Sequence, residues 1–137
     1  MKILIPYRLD NELAYESLWV KQVEAGYQIN NIPFLAKNIA FGDIVEASEE
    51  NGILYFEDLL ETSGHSTVRV IFWNVEDLKT AADELIRLGC DWEGSHIAGM
   101  IAVDVPPTVE YTVVKAFLDE GFDNKLWDYQ EACLGFE

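Results

Sequence analysis

Val68-Arg69-Val70-Ile71-Phe72-Trp73 followed by Asn74-Val75-Glu76-Asp77-Leu78 is where this chain changes rhythm. The first six residues are β-branched or aromatic apart from one arginine and read as a strand. Asn74 then offers a helix N-cap, with Glu76 and Asp77 in the first turn where the helix dipole favours acids. Leu78, Ala81, Ala82, Leu85 and Ile86 recur at helical spacing, and Gly89 stops the run. A strand thus hands over to a helix, and the two sides of this stretch differ.

Towards the C-terminus, Cys90–Glu93 and Ile97–Val105 are expected to pair around Gly94-Ser95. Thr108 is expected to cap a second helix with Val109, Val113, Val114, Phe117 and Leu118 on one face and Gly121 at its end. Leu126–Cys133 reads as a short last helix or turn. From Val68 onward the order is β-α-β-β-α, most of a ferredoxin-like unit.

Towards the N-terminus the pattern is strands and tight turns. Glu16–Val23 and Tyr27–Asn31 flank Ala25-Gly26, where glycine is expected to supply a positive φ. Asp43–Ser48 and Ile53–Leu60 flank Asn51-Gly52, the strongest hairpin signal in the chain. With Val68–Trp73 these make five strands, a curled antiparallel sheet or partial barrel. Ile32–Gly42 lies between the hairpins and is apolar enough to pack inward. The expected fold is α+β in one domain, 1–137, with a β-rich subdomain 1–66 and an α+β subdomain 67–137 sharing the strand at Val68–Trp73.

The composition narrows the function. Of 137 residues, 25 are Asp or Glu and nine are Lys or Arg, for a formal charge of −16. Half the residues are apolar and 12% aromatic, so this is a folded acidic domain and not a disordered tail. The surplus is spread, with 11 acids and four bases in residues 1–65 and 14 and five in the remainder. Direct nucleic-acid binding is disfavoured, because phosphate contacts need clustered cations. No apolar run approaches the ~20 residues of a membrane span. Met1–Pro6 is too short for a signal-peptide core, and Cys90 and Cys133 suit a reducing compartment, so a cytoplasmic protein with no membrane partner is expected.

Catalytic and metal signatures are weak. Ser63, His65 and Ser66 lie together in a polar turn, without the strand–turn–helix elbow a serine nucleophile uses. His65, Cys90, His96 and Cys133 are not spaced as zinc ligands, and no glycine-rich phosphate loop occurs. No cofactor and no metal are expected. Four tryptophans stand among acids, as at Asp91-Trp92-Glu93 and Trp127-Asp128, a pairing that suits Arg or Lys recognition.

Four ordered segments carry a family resemblance. They are Asn31-Ile32-Pro33-Phe34 with Gly42–Ala47; Ser63-Gly64-His65-Ser66-Thr67-Val68-Arg69; Leu88-Gly89-Cys90 with Val103-Asp104-Val105-Pro106-Pro107; and Trp127–Ala132. Over about residues 16–135 the chain resembles the bacterial domain of unknown function 4265. The resemblance implies no catalytic residues.

The reading that joins size, charge and missing catalytic geometry is a cytosolic immunity protein that neutralises a basic toxin domain, above all a nuclease. Its expected contact residues are Glu49, Glu50, Glu57, Asp58, Asp91, Trp92, Glu93, Asp119, Glu120, Asp123 and Asp128. The alternative is a small enzyme or ligand-binding domain around His65, Arg69 and Asp104, with Glu131 beside them. That reading expects a cleft where His65 meets Asp104 or Glu131, and an Arg69–Asp104 pair.

Overall fold

The computed structural model describes residues 1–95 and 97–136, and His96, one of the expected soft ligands, lies outside the described residues. Alternating apolar residues build the first layer. β1 (Lys2–Leu9), β2 (Glu12–Val23), β3 (Gly26–Ile29), β4 (Ile44–Glu50) and β5 (Ile53–Glu61) close into a barrel. Closure comes from β5 returning alongside β1, parallel, with Ile3 opposite Leu54 and Leu4 opposite Tyr55. The partial barrel expected from the sequence is therefore a complete one, and its fifth strand is β1 instead of Val68–Trp73. Ile3 and Ile5 point inward between outward neighbours, the period-2 signature of a half-buried strand. Pro6 lies beyond the β5 pairing, where β1 has one neighbour and a missing N–H does no harm.

Turn chemistry closes the hairpins. Asp10 and Asn11 both have positive φ (52° and 67°), as do Asn51 and Gly52 (54° and 81°), the conformation that matches strand twist in a two-residue turn. Gly26 departs from expectation. It is the first residue of β3, outside the left-handed region, and a Cβ there would stand 2.5 Å from the Val45 carbonyl oxygen. Space, not φ, requires glycine. Between β3 and β4, Ile32, Ala36, Ile39 and Ala40 are buried, so this segment does pack inward. Ala36 and Ile39 join the barrel core of Ile3, Ile5, Leu18, Val20, Ile29, Val45 and Leu54.

The second layer is a four-stranded antiparallel sheet in the order β7-β8-β6-β9. Its elements follow as β6 (Ser66–Phe72), a 3-10 turn (Val75–Asp77), α1 (Leu78–Arg87), β7 (Asp91–Gly94), β8 (Met100–Val105), α2 (Tyr111–Asp123) and β9 (Trp127–Cys133). Asn74 caps the 3-10 turn through its side chain, which accepts the Glu76 N–H. β6 pairs with β8 and β9, so it belongs to this sheet and is not shared between the halves. Val68, Val70, Phe72, Ile101 and Val103 pack under Ala81, Leu85, Val114 and Leu118 of the helices.

Three expectations are corrected here. Leu126–Cys133 is the strand β9, not a helix or turn. Thr108 does not cap α2; Glu110 holds the N-cap position without a side-chain bond. Gly121 is inside α2 because the Trp127 indole lies against it, and an added Cβ would stand 1.9 Å from that ring. No helix among the described residues is long and apolar enough to cross a membrane.

Candidate functional site

The central strands of the second sheet, β6 and β8, are buried on both faces, and the face of β6 turned away from the helices carries polar residues. Thr67 Oγ1 donates to the Ile39 carbonyl (3.3 Å), and Arg69 Nη2 donates to the Ala36 carbonyl (2.6 Å). The segment between β3 and β4 is thus held between barrel and sheet. Two carboxylates fix it from the barrel side. Glu16, in phase with Leu18 and Val20 and therefore inward-facing, accepts N–H groups from Phe34, Leu35 and Ala36 at 2.7, 2.9 and 2.8 Å. Asp43 accepts from the Ala40 N–H (3.0 Å) and the Ser63 N–H (2.8 Å). Neither acid was singled out from sequence, although the alternation through β2 places Glu16 indoors.

The serine turn is structural. The Ser63 hydroxyl lies between the Phe41 carbonyl (2.7 Å) and the Asp43 carboxylate (2.9 Å), and it accepts the His65 N–H. Ser66 is buried and accepts the Gly135 N–H (3.0 Å). Neither hydroxyl is bonded to His65 as a nucleophile would be to its base.

Of the four residues expected around the alternative site, two meet. His65 Nδ1 lies 2.8 Å from Asp104 Oδ1, and the ring rests against Phe41. Burial pushes the Asp104 carboxyl above its ordinary range, against the opposing pull of His65. Arg69 makes no ion pair with Asp104. Its second bond is to Gln130 Oε1 (3.4 Å), its Nε finds no partner among the described residues, and burial lowers its proton affinity against the pull of Glu16. Glu131 is elsewhere, accepting the Tyr111 hydroxyl (2.5 Å) and reaching Lys115 (3.5 Å). A cavity of about 240 Å³ opens beside His65, lined also by Asn38, Asp43, Thr62 and Cys133. Burial drives the Cys90 and Cys133 thiols up to about 11, which leaves them protonated near neutrality. Among the described residues no three His, Cys, Asp or Glu side chains gather as a metal site.

The expected contact residues do not share one face. Glu49, Glu50, Glu57 and Asp58 belong to the β4–β5 hairpin, and Asp119, Glu120 and Asp123 to α2. Asp91, Trp92 and Glu93 lie on β7 and Asp128 on β9, the opposite edges of the second sheet. Several are occupied internally. Trp92 packs against the core, Glu93 accepts the Ile32 N–H (2.6 Å), and Asp119 takes the Tyr129 hydroxyl. Asp58, Asp91 and Asp128 accept the N–H of the following residue, and Glu57 the Ser48 hydroxyl (2.5 Å). Glu49, Glu50, Glu120 and Asp123 remain exposed and unbonded among the described residues.

Ion pairing divides the molecule. Among the described residues the four pairs are His65–Asp104, Lys79–Asp83, Glu84–Arg87 and Lys115–Glu131, all at or after residue 65. The barrel has none. Glu46 even stands directly across from Asp58, where a pair of opposite sign would stabilise the sheet.

A family model described as a domain of unknown function (DUF4265) matches residues 16–129. The chain is also similar to a solved structure titled "Novel crystal structure of a hypothetical protein from Neisseria gonorrhoeae", with TM-score 0.86 and 27% identity over 99% of this chain and 96% of that chain. No curated protein matches.

Proposed function

The chain belongs to the DUF4265 family, and we propose that it is an immunity-type inhibitor that binds and neutralises a basic bacterial toxin domain, above all a nuclease. One observation carries this reading: among the described residues the barrel holds a surplus of carboxylates with no ion pair to offset them. Such a surface repels itself and gains when cations on another molecule approach. A nuclease offers those cations, because it uses Lys and Arg to hold phosphates. Opposite charge then speeds encounter, and aromatic anchors slow release. The cytoplasm is the compartment where such an inhibitor acts. Glu49, Glu50, Glu57 and Asp58 form the primary contact set in this proposal, with the acids of α2, β7 and β9 steering from a distance. The two halves act as one domain, and the sheet order β7-β8-β6-β9 under two helices supports a ferredoxin-like reading of the second.

Co-expression with the product of the neighbouring gene tests the proposal, which expects that product to be a basic toxin domain. Growth should be restored and a complex should persist through size exclusion. Continued killing, with no complex formed, would refute it.

A second reading keeps one specific support. His65 is oriented through Nδ1 by Asp104, and its Nε2 has no partner among the described residues, beside the cavity of about 240 Å³. Ligand binding there would shift the His65 ring signals in a fragment screen, and His65→Gln would abolish the response. A silent screen ends this reading.

A further inference from the structure

The outward face of four neighbouring barrel strands is not the polar surface that alternation ordinarily leaves to solvent. On β2, Tyr15 and Trp19 point out and are 47% and 52% exposed. Their cross-strand partners on β1 are Pro6 and Lys2, with Leu4 between. β5 continues the surface through Tyr55, beside Leu4, and Ile53, which is 43% exposed. The rings meet across strands: Tyr15 and Tyr55 lie edge to face at 6.0 Å, and Lys2 Nζ stands 4.6 Å over Trp19. β4 then supplies a polar border, with Ser48 opposite Tyr55 and Glu50 opposite Ile53. Glu46 and Glu57 extend that border, and both are exposed.

An apolar, aromatic centre with a charged rim is the anatomy of a protein interface. We propose that this face of β2-β1-β5-β4 docks a basic protein partner through an apolar projection ringed by Lys or Arg. The inference rests on the inhibitor reading above for the partner's class, and on charge complementarity for its chemistry. Rim carboxylates, without an ion pair among the described residues, repel nucleic acid and anionic headgroups, and they would face one another in a symmetric pair of copies.

The test uses synthetic hairpin peptides that alternate Arg with Leu, and a twin with Glu in place of Arg, added to the ¹⁵N-labelled full chain. Amide shifts should cluster on β1, β2, β4 and β5 with the Arg peptide and be absent with its twin. Trp19→Ser combined with Tyr55→Ser should weaken binding at least tenfold, and Glu50→Gln combined with Glu57→Gln should weaken it severalfold. All four positions face outward, so an unchanged denaturation midpoint certifies the fold. Shifts centred on α1 and α2, equal binding of the twin, or indifference to the aromatic pair would each overturn the proposal. A dimer in sedimentation that Trp19→Ser dissolves would make a second copy the occupant and overturn it too. Peptide docking on this face without rescue in the co-expression experiment would leave the face standing and remove the inhibitor reading. Rescue that survives loss of Trp19 and Tyr55 would do the reverse.

Discussion

Glu16 shows how much one side chain organises. Its carboxylate satisfies three backbone N–H groups of a segment with no regular structure, and Arg69 stands close enough to feel its charge. Glu16→Ala strands those donors and the buried guanidinium, so a loss of about 3 kcal/mol in urea unfolding is expected. A loss below about 1 kcal/mol would mean that solvent already reaches the segment. The thiols make a separate claim. An unfolded chain releases a cysteine proton near 9.0, whereas folded Cys90 and Cys133 keep theirs to about 11. The folded state binds more protons across that interval, so stability falls as pH rises through it. Replacing both cysteines by alanine should reduce that slope in denaturation midpoints measured between the two values, and an unchanged slope would place the dependence elsewhere.

At the scale of elements, α2 ends in a residue that pays for its position: Asn124 is the C-cap and Lys125 follows with φ 60°. Leu126 N–H returns to the Gly121 carbonyl (2.9 Å) and Lys125 N–H to Phe122 (3.1 Å), a left-handed stop that favours glycine. Lys125→Gly should therefore stabilise the protein by about 0.5–1 kcal/mol, read as a raised denaturation midpoint. Elements whose signal is local were legible in the sequence. Asn51-Gly52 dictates its own turn, and Leu78–Arg87 carries its periodicity, although Asn74 caps the 3-10 turn before α1 and not α1 itself. Elements whose reason is a distant partner were not. β9 reads ambiguously until β6 is beside it, Gly121 has no local meaning without the Trp127 indole, and Gly26 none without the Val45 carbonyl. The candidate site follows the same division. His65 and Asp104 stood out as chemical types and do meet, whereas the real partners of Arg69, Ala36 and Gln130, lie 33 and 61 residues away.

Across the whole molecule the acid surplus is spread over both halves, but ion pairing is not. Among the described residues the helices and second sheet pair part of their acid internally, and the barrel's carboxylates stand without an ion pair around an aromatic face. The scaffold that holds this face is rigid for a definable reason. The five strands close on themselves through the β1–β5 pairing, and the segment between β3 and β4 is bonded to both layers. The central claim is that these carboxylates exist to meet cations on a partner. The association rate with a basic toxin domain that the chain neutralises in co-expression, measured against salt, tests it most directly. The rate should fall at least about tenfold between low and physiological ionic strength, and Glu46→Gln, Glu50→Gln and Glu57→Gln together should flatten that dependence. A rate indifferent to salt, unchanged by the triple substitution, would contradict the account.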